Sequence, residues 1–269
     1  MAERMTIKQI RESAKTANIL LNSGKESEFF KLTESILLSK PQFSYLYIYG
    51  YKLGLGGLEN PDKYLEVLDK LFNKNMKYGF ESKYFRNKAF WTQEKIKAMI
   101  FGSRISIITT ALEVLGERYP KRVIPIIKRY LIEGDCWSIC DGLAIALGKI
   151  LMAHFDETFT VLESWVSSEN RWLRRVSVVA FRELMKVQDN RMKELKVLFK
   201  VLMMDNDRLV KMGVAWMFRE MSKHDKAEFM RIMHAWQKLD YDKNTIWMVK
   251  NGIKKLSNNE QKMILSWFK

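Results

Sequence analysis

Residues 171–186, RWLRRVSVVAFRELMK, superpose on residues 208–223, RLVKMGVAWMFREMSK, with an offset of 37 residues from Arg171 to Arg208. This internal repeat limits the chain to a narrow set of folds. The period is too short for a domain and long enough for two helices, and repeated helix pairs must bury their apolar faces on one another. Apolar residues recur at spacings of three and four rather than two, and only four prolines interrupt them, so strand signals are almost absent. The expected fold is all-α, an α-solenoid of antiparallel helix pairs in which the second helix of each pair lines one curved inner surface.

Helices are predicted over 6–21, 25–38, 41–53, 61–72, 82–97, 103–119 and 120–133, with a glycine-rich break at LGLGG, 53–57. From Asp135 onward the spacing is regular. The chain is expected to form a single domain over 1–269, with divergent helices over about 1–100 and more regular repeats over 101–269. Residues 73–97 interleave Lys74, Lys77, Lys83, Arg86 and Lys88 with Tyr78, Tyr84, Phe85, Phe90 and Trp91. That mixture suits an amphipathic helix with a capping loop and solvated lysines, and it also suits stacking on bases.

Charge narrows the partners. Lysine and arginine outnumber aspartate and glutamate by 46 to 31, a formal charge of +15, while 47% hydrophobic content excludes a disordered polycation. No basic tail accounts for the excess, so it lies on folded surfaces and favours polyanions, nucleic acid before an anionic membrane. No stretch approaches the roughly 20 apolar residues of a membrane span, and the N-terminal residues lack a signal-peptide core. A cytoplasmic, nucleoid-associated protein is expected. Cys136 and Cys140 read as core thiols, and His154, His224 and His234 lack metal-ligand spacing, so neither a metal nor another cofactor is expected.

Helical-wheel geometry then singles out residues off the apolar stripes. Trp137 and Asp141, four apart, fall opposite the face formed by Ile139, Leu143, Ala146, Leu147 and Ile150. Arg171, Arg175 and Arg182 form a column about 140° from the stripe Leu173, Val176, Ala180, Leu184, a track suited to phosphates. Trp216 lies roughly 130° from Val210, Val214, Met217 and Met221, on a side shared with Arg219 and Lys223. Trp165 and Trp172 read as packing residues, and Trp236, Trp247 and Trp267 as C-terminal core. Read as purely structural, Trp137 would be a packing ridge and Asp141 a local cap or ion-pair partner.

At W-x-x-x-D (Trp137, Asp141), N-x-W-L-x-R (Asn170 to Arg175) and W-x-x-R-E (Trp216 to Glu220), the chain resembles the AlkD-type DNA alkylation repair glycosylases, which are built from HEAT-like helical repeats. The resemblance covers roughly the C-terminal half to two thirds. It implies a HEAT-like α-solenoid with a concave basic DNA-binding groove, and an enzyme that hydrolyses the N-glycosidic bond of N3- or N7-alkylated purines. It also implies that Trp137 and Trp216 cradle the sugar-phosphate backbone beside an essential Asp141, and that Arg175 contacts phosphate. Arg171, Arg182, Arg219 and Lys223 join Arg175 as expected DNA-binding residues on a monomer acting on double-stranded DNA. Two other readings stay open, a non-catalytic binder of branched or damaged DNA and a HEAT-repeat protein-interaction scaffold.

Overall fold

The computed structural model describes residues 5–39, 41–76 and 93–268. Most of the aromatic and basic stretch at 73–97, including Lys77, Tyr78, Lys83, Tyr84, Phe85, Arg86, Lys88, Phe90 and Trp91, lies outside the described residues. Among the described residues every element is helical and none is a strand, as the repeat requires. No described helix is long and apolar enough to cross a membrane. The chain divides into two compact units, Met1–Ala146 and Leu147–Lys269, and the division falls inside one helix, α7 (Trp137–Ala153).

In the first unit, α1 (Ile7–Asn22) packs on α3 (Phe43–Gly56), and α3 packs on α5 (Gln93–Arg118). The helices α2 (Glu26–Leu38), α4 (Pro61–Met76) and α6 (Pro120–Gly134) lie against that row. Thr6 starts α1 with a capping box, its hydroxyl accepting from the Gln9 amide while the Gln9 side chain accepts from the Thr6 amide. The layers meet through Ile10, Ala14, Phe29 and Tyr49, and through Phe72 stacked on Tyr130 at 3.8 Å. Burial pushes the hydroxyls of both Tyr49 and Tyr130 above the usual tyrosine range.

Two sequence expectations are corrected here. The LGLGG run is not a break, because α3 continues through Gly56 and ends with Gly57 as its C-cap. The glycines serve contact instead: a Cβ on Gly50 would lie 2.4 Å from the Ile107 carbonyl oxygen, and one on Gly54 would lie 2.7 Å from Val114 Cβ. Glycine is disfavoured in a helix by about 1 kcal/mol, yet here its missing side chain lets α3 and α5 approach. The second correction is that α5 is a single helix running through the predicted gap at 98–102, since one glycine, Gly102, costs a helix only about 1 kcal/mol and does not end it.

The second unit continues the alternation. Its inner row is α9 (Arg171–Val179) with α10 (Arg182–Lys186), then α12 (Arg208–His224) and α14 (Lys243–Gly252). Helices α8 (Phe155–Trp165), α11 (Leu195–Leu202), α13 (Lys226–Trp236) and α15 (Asn258–Trp267) pack outside it. The sequence repeat extends to the caps. Asn170 accepts from the amides of Trp172 and Leu173, and Asp207, its counterpart, accepts from those of Leu209 and Val210. The two copies then diverge: α12 is continuous, whereas its counterpart breaks at Ala180–Phe181. The broken copy carries the β-branched Val176, Val178 and Val179, and its Ser177 hydroxyl bonds back to the Arg174 carbonyl, both of which loosen a helix. Phe199, Phe218, Phe229 and Trp236 fill the centre with ring contacts of 4.8–6.3 Å.

Gly54→Ala should therefore destabilise the protein by about 1–3 kcal/mol, although alanine is the better helix former. Urea unfolding followed by circular dichroism measures this; an unchanged or raised midpoint would contradict the close-approach role.

Candidate nucleic-acid interface

The residues singled out in the sequence form two clusters along the chain, one on α7 in the first unit and one on α9, α10 and α12 in the second. In the first, Asp135 adopts a left-handed φ of 35° that ends α6, and α7 begins two residues later at Trp137. Cys136 and Cys140 are buried free thiols, and Ile139, Leu143, Ala146, Leu147 and Ile150 form the buried face of α7. Trp137 is 43% exposed, and Asp141 is half-buried one helical turn further on. The indole therefore stands at the surface on the side of α7 away from its core, with more than half of its area covered by the protein.

In the second unit Arg182 and Trp216 come together. The Arg182 guanidinium lies 5.2 Å above the Trp216 ring, both residues half-buried, with Glu183 3.6 Å from the same guanidinium. The break after α9 starts α10 at Arg182 and so sets this geometry. Arg219, on the same helix as Trp216, donates to the Asn251 carbonyl at 2.9 Å, and desolvation lowers its pKa from the usual arginine range. Lys223 is exposed, as is Arg171, which stands 3.6 Å from Asp207.

Arg175 departs from the wheel. It is only 5% exposed, and its Nη1 donates at 2.6 Å to the Leu209 carbonyl, tying α9 to the first turn of α12. Gly213 makes room, because a Cβ there would meet Arg175 Cγ at 3.0 Å. Arg171, Arg175 and Arg182 are thus not one solvent-facing column. An inner helix has neighbours on three sides, so its buried arc is wider than the apolar stripe alone indicates.

One pair was missed. The Lys211 ammonium sits 5.4 Å over the Trp247 ring and donates to Asn244 Oδ1 at 2.8 Å, linking α12 to α14. Trp247 is half-buried under this cation and is not a core residue, whereas Trp165, Trp172 and Trp236 are buried. The available signal was its place, like that of Trp216, on an inner helix with a basic residue on the helix before. Trp267 is also half-buried, edge-on to His234 at 5.6 Å. Among the described residues no three histidine, cysteine or carboxylate side chains are grouped to hold a metal.

Residues 88–256 match the family model described as DNA alkylation repair enzyme. The chain belongs to this family. The match contains every residue of both clusters, and it makes the protein an enzyme of DNA repair that binds DNA. A solved structure described as a predicted DNA alkylation repair enzyme from Enterococcus faecalis is similar at 15% identity, covering 76% of this chain and 88% of that one with a TM-score of 0.48. No curated protein matches the chain. Within this alkylation repair enzyme, residues of one helix differ sharply in burial: Arg171 is exposed and Arg175 is core.

That difference has a measurable result. Arg175→Ala should lower unfolding stability by about 2–4 kcal/mol, by leaving a cavity and removing the hydrogen bond between α9 and α12, whereas Arg171→Ala should stay within about 0.5 kcal/mol. Equal effects of the two substitutions on the urea midpoint would refute the structural role of Arg175.

Proposed function

We propose that this DNA repair enzyme is an N-glycosylase that hydrolyses the glycosidic bond of N3- or N7-alkylated purines in double-stranded DNA, without a metal or other cofactor. The observation that carries the reading is the Trp137 and Asp141 pair on α7, an exposed indole one turn from a carboxylate, inside the segment matched by the family. Alkylation at N3 or N7 leaves the purine cationic, so the base departs as a neutral molecule when the bond to C1′ breaks and needs no general acid. The sugar is left as an oxocarbenium-like cation. Asp141 stabilises that charge electrostatically, and the face of Trp137 adds a cation–π contribution. Water then forms the new bond to C1′ and gives up a proton, for which Asp141 is the acceptor.

Trp216, in the second unit, is assigned to the sugar-phosphate backbone, with Arg182 supplying a cation at its ring. Arg171, Arg219 and Lys223 are assigned to phosphates. Arg175 is assigned to the same interface mainly as the residue that fixes α9 against α12, so its loss should weaken DNA binding together with stability.

Asp141→Asn is nearly isosteric and removes the negative charge. The variant should fold, keep duplex affinity within several-fold, and lose release of methylated purines from alkylated DNA by roughly two or more orders of magnitude. Full residual excision would sink the mechanism. A wild-type protein that binds branched DNA but releases no purine would make the chain a binding module instead. Separately, Arg171→Ala and Lys223→Ala should each flatten the plot of log K against log salt by about 0.9 for duplex DNA. Slopes equal to wild type would remove these two side chains from the interface.

A further inference from the structure

The first unit holds a cleft of about 950 Å³ among α1, α3, α5 and α7, whose α7 wall, Ile145, is one helical turn beyond Asp141. Its α1 and α3 walls lie outside the segment matched by the family. Tyr47 and Tyr51 line it from α3, 43% and 46% exposed, and neither ring nor hydroxyl has a partner among the described residues. They stand one helical turn apart, on one side of the helix. Lys8 and Arg11 line it from α1 and Lys52 from α3, all exposed and with no ion pair to a described residue. Lys15, at the far end of the same α1 face, is paired with Glu12 at 2.9 Å, and Glu113 of α5 also reaches the cleft. Four cations against two carboxylates leave the wall positive.

These features fit a particular ligand chemistry. Uncommitted aromatic rings offer stacking faces, and cations beside them neutralise phosphate, the combination by which proteins hold unstacked nucleotides. The cations also form a line and not a point, since Lys8 and Lys15 are about 10 Å apart along the axis of α1. A line suits a run of phosphates more than the single phosphate group of a free nucleotide. A paired duplex keeps its base faces covered, so the tyrosines would have nothing to stack on.

We infer that this cleft binds unstacked nucleotides of single-stranded DNA, with bases on Tyr47 and Tyr51 and phosphates on Lys8, Arg11 and Lys52. The inference rests on the DNA-repair role of the family and is independent of the glycosylase chemistry. It gives the enzyme a second mode of DNA contact, suited to a strand that is frayed, gapped or displaced.

The test is fluorescence anisotropy on the full chain with a labelled short oligothymidylate and a labelled blunt duplex, with thymidine monophosphate as competitor. The Tyr47→Ala, Tyr51→Ala double variant should weaken single-strand binding by about tenfold or more, as loss of base stacking does, while duplex affinity stays within about twofold. The Tyr47→Phe, Tyr51→Phe double variant keeps the rings and should bind like wild type. Lys8→Glu with Arg11→Glu should weaken single-strand binding and flatten its salt dependence. Undiminished oligothymidylate binding by the alanine double variant overturns the inference, as does an equal loss on duplex DNA. Thymidine monophosphate competing as well as the oligonucleotide overturns it in favour of a free-nucleotide site. The Tyr47→Ala, Tyr51→Ala double variant should release methylated purines from alkylated duplex DNA like wild type, so failure of the glycosylase mechanism and failure of this site are read separately.

Discussion

Close approach between successive inner helices is the constraint on which both units depend. Each such helix must bury one side on its predecessor and the other on its successor, and side chains at the crossing would hold the backbones apart. Glycine removes the obstacle: Gly50 and Gly54 bring α3 onto α5, Gly213 admits the side chain of Arg175 between α9 and α12, and Gly252 rests α14 on Phe218. Once the spacing is set, polar groups can span it. The Arg175 hydrogen bond to the Leu209 carbonyl and the Arg219 hydrogen bond to the Asn251 carbonyl are both such bridges.

The basic character of the chain takes a specific form on this scaffold. Arg182 over Trp216 and Lys211 over Trp247 repeat one motif on consecutive inner helices, a cation from one helix laid on the indole of the next. A charge held over an aromatic face is partly desolvated, unlike an exposed lysine such as Lys223. The excess of basic residues thus includes groups fixed by packing as well as groups that respond freely to a nearby polyanion.

Much of this was legible in the sequence, and the failures share a cause. The 37-residue repeat disclosed the helical stack, and the apolar period located most helices within a few residues. The face of α7 opposite its core was readable because one side of that helix is almost wholly apolar, which left Trp137 on the other side. Arg175 was misread because a wheel divides a helix into one apolar and one polar arc, whereas an inner helix is covered by two neighbours and an outer partner. The glycines of α3 were misread for a related reason: a glycine that breaks a helix and one that lets another helix approach look alike until the partner is known. Trp247 was assigned to the core on its hydrophobicity, and only the position of Lys211 reveals its half-buried setting. The unstacked tyrosines of α3 gave no signal at all, since Tyr47 and Tyr51 lie in an apolar helix beside the fully buried Tyr49.

The aromatic cluster of the second unit bears on how the chain acquires its structure. Phe199 comes from α11, Phe218 from α12, and Phe229 and Trp236 from α13, so the cluster gathers side chains from neighbouring elements without distant strand-like pairing. Contacts of this kind close short loops, which favours rapid assembly from a local nucleus and growth by addition of adjoining helices. Until α14 arrives with Gly252 against Phe218, however, that ring lacks its covering, and a chain emerging from the ribosome would carry a sticky aromatic edge until its last helices dock.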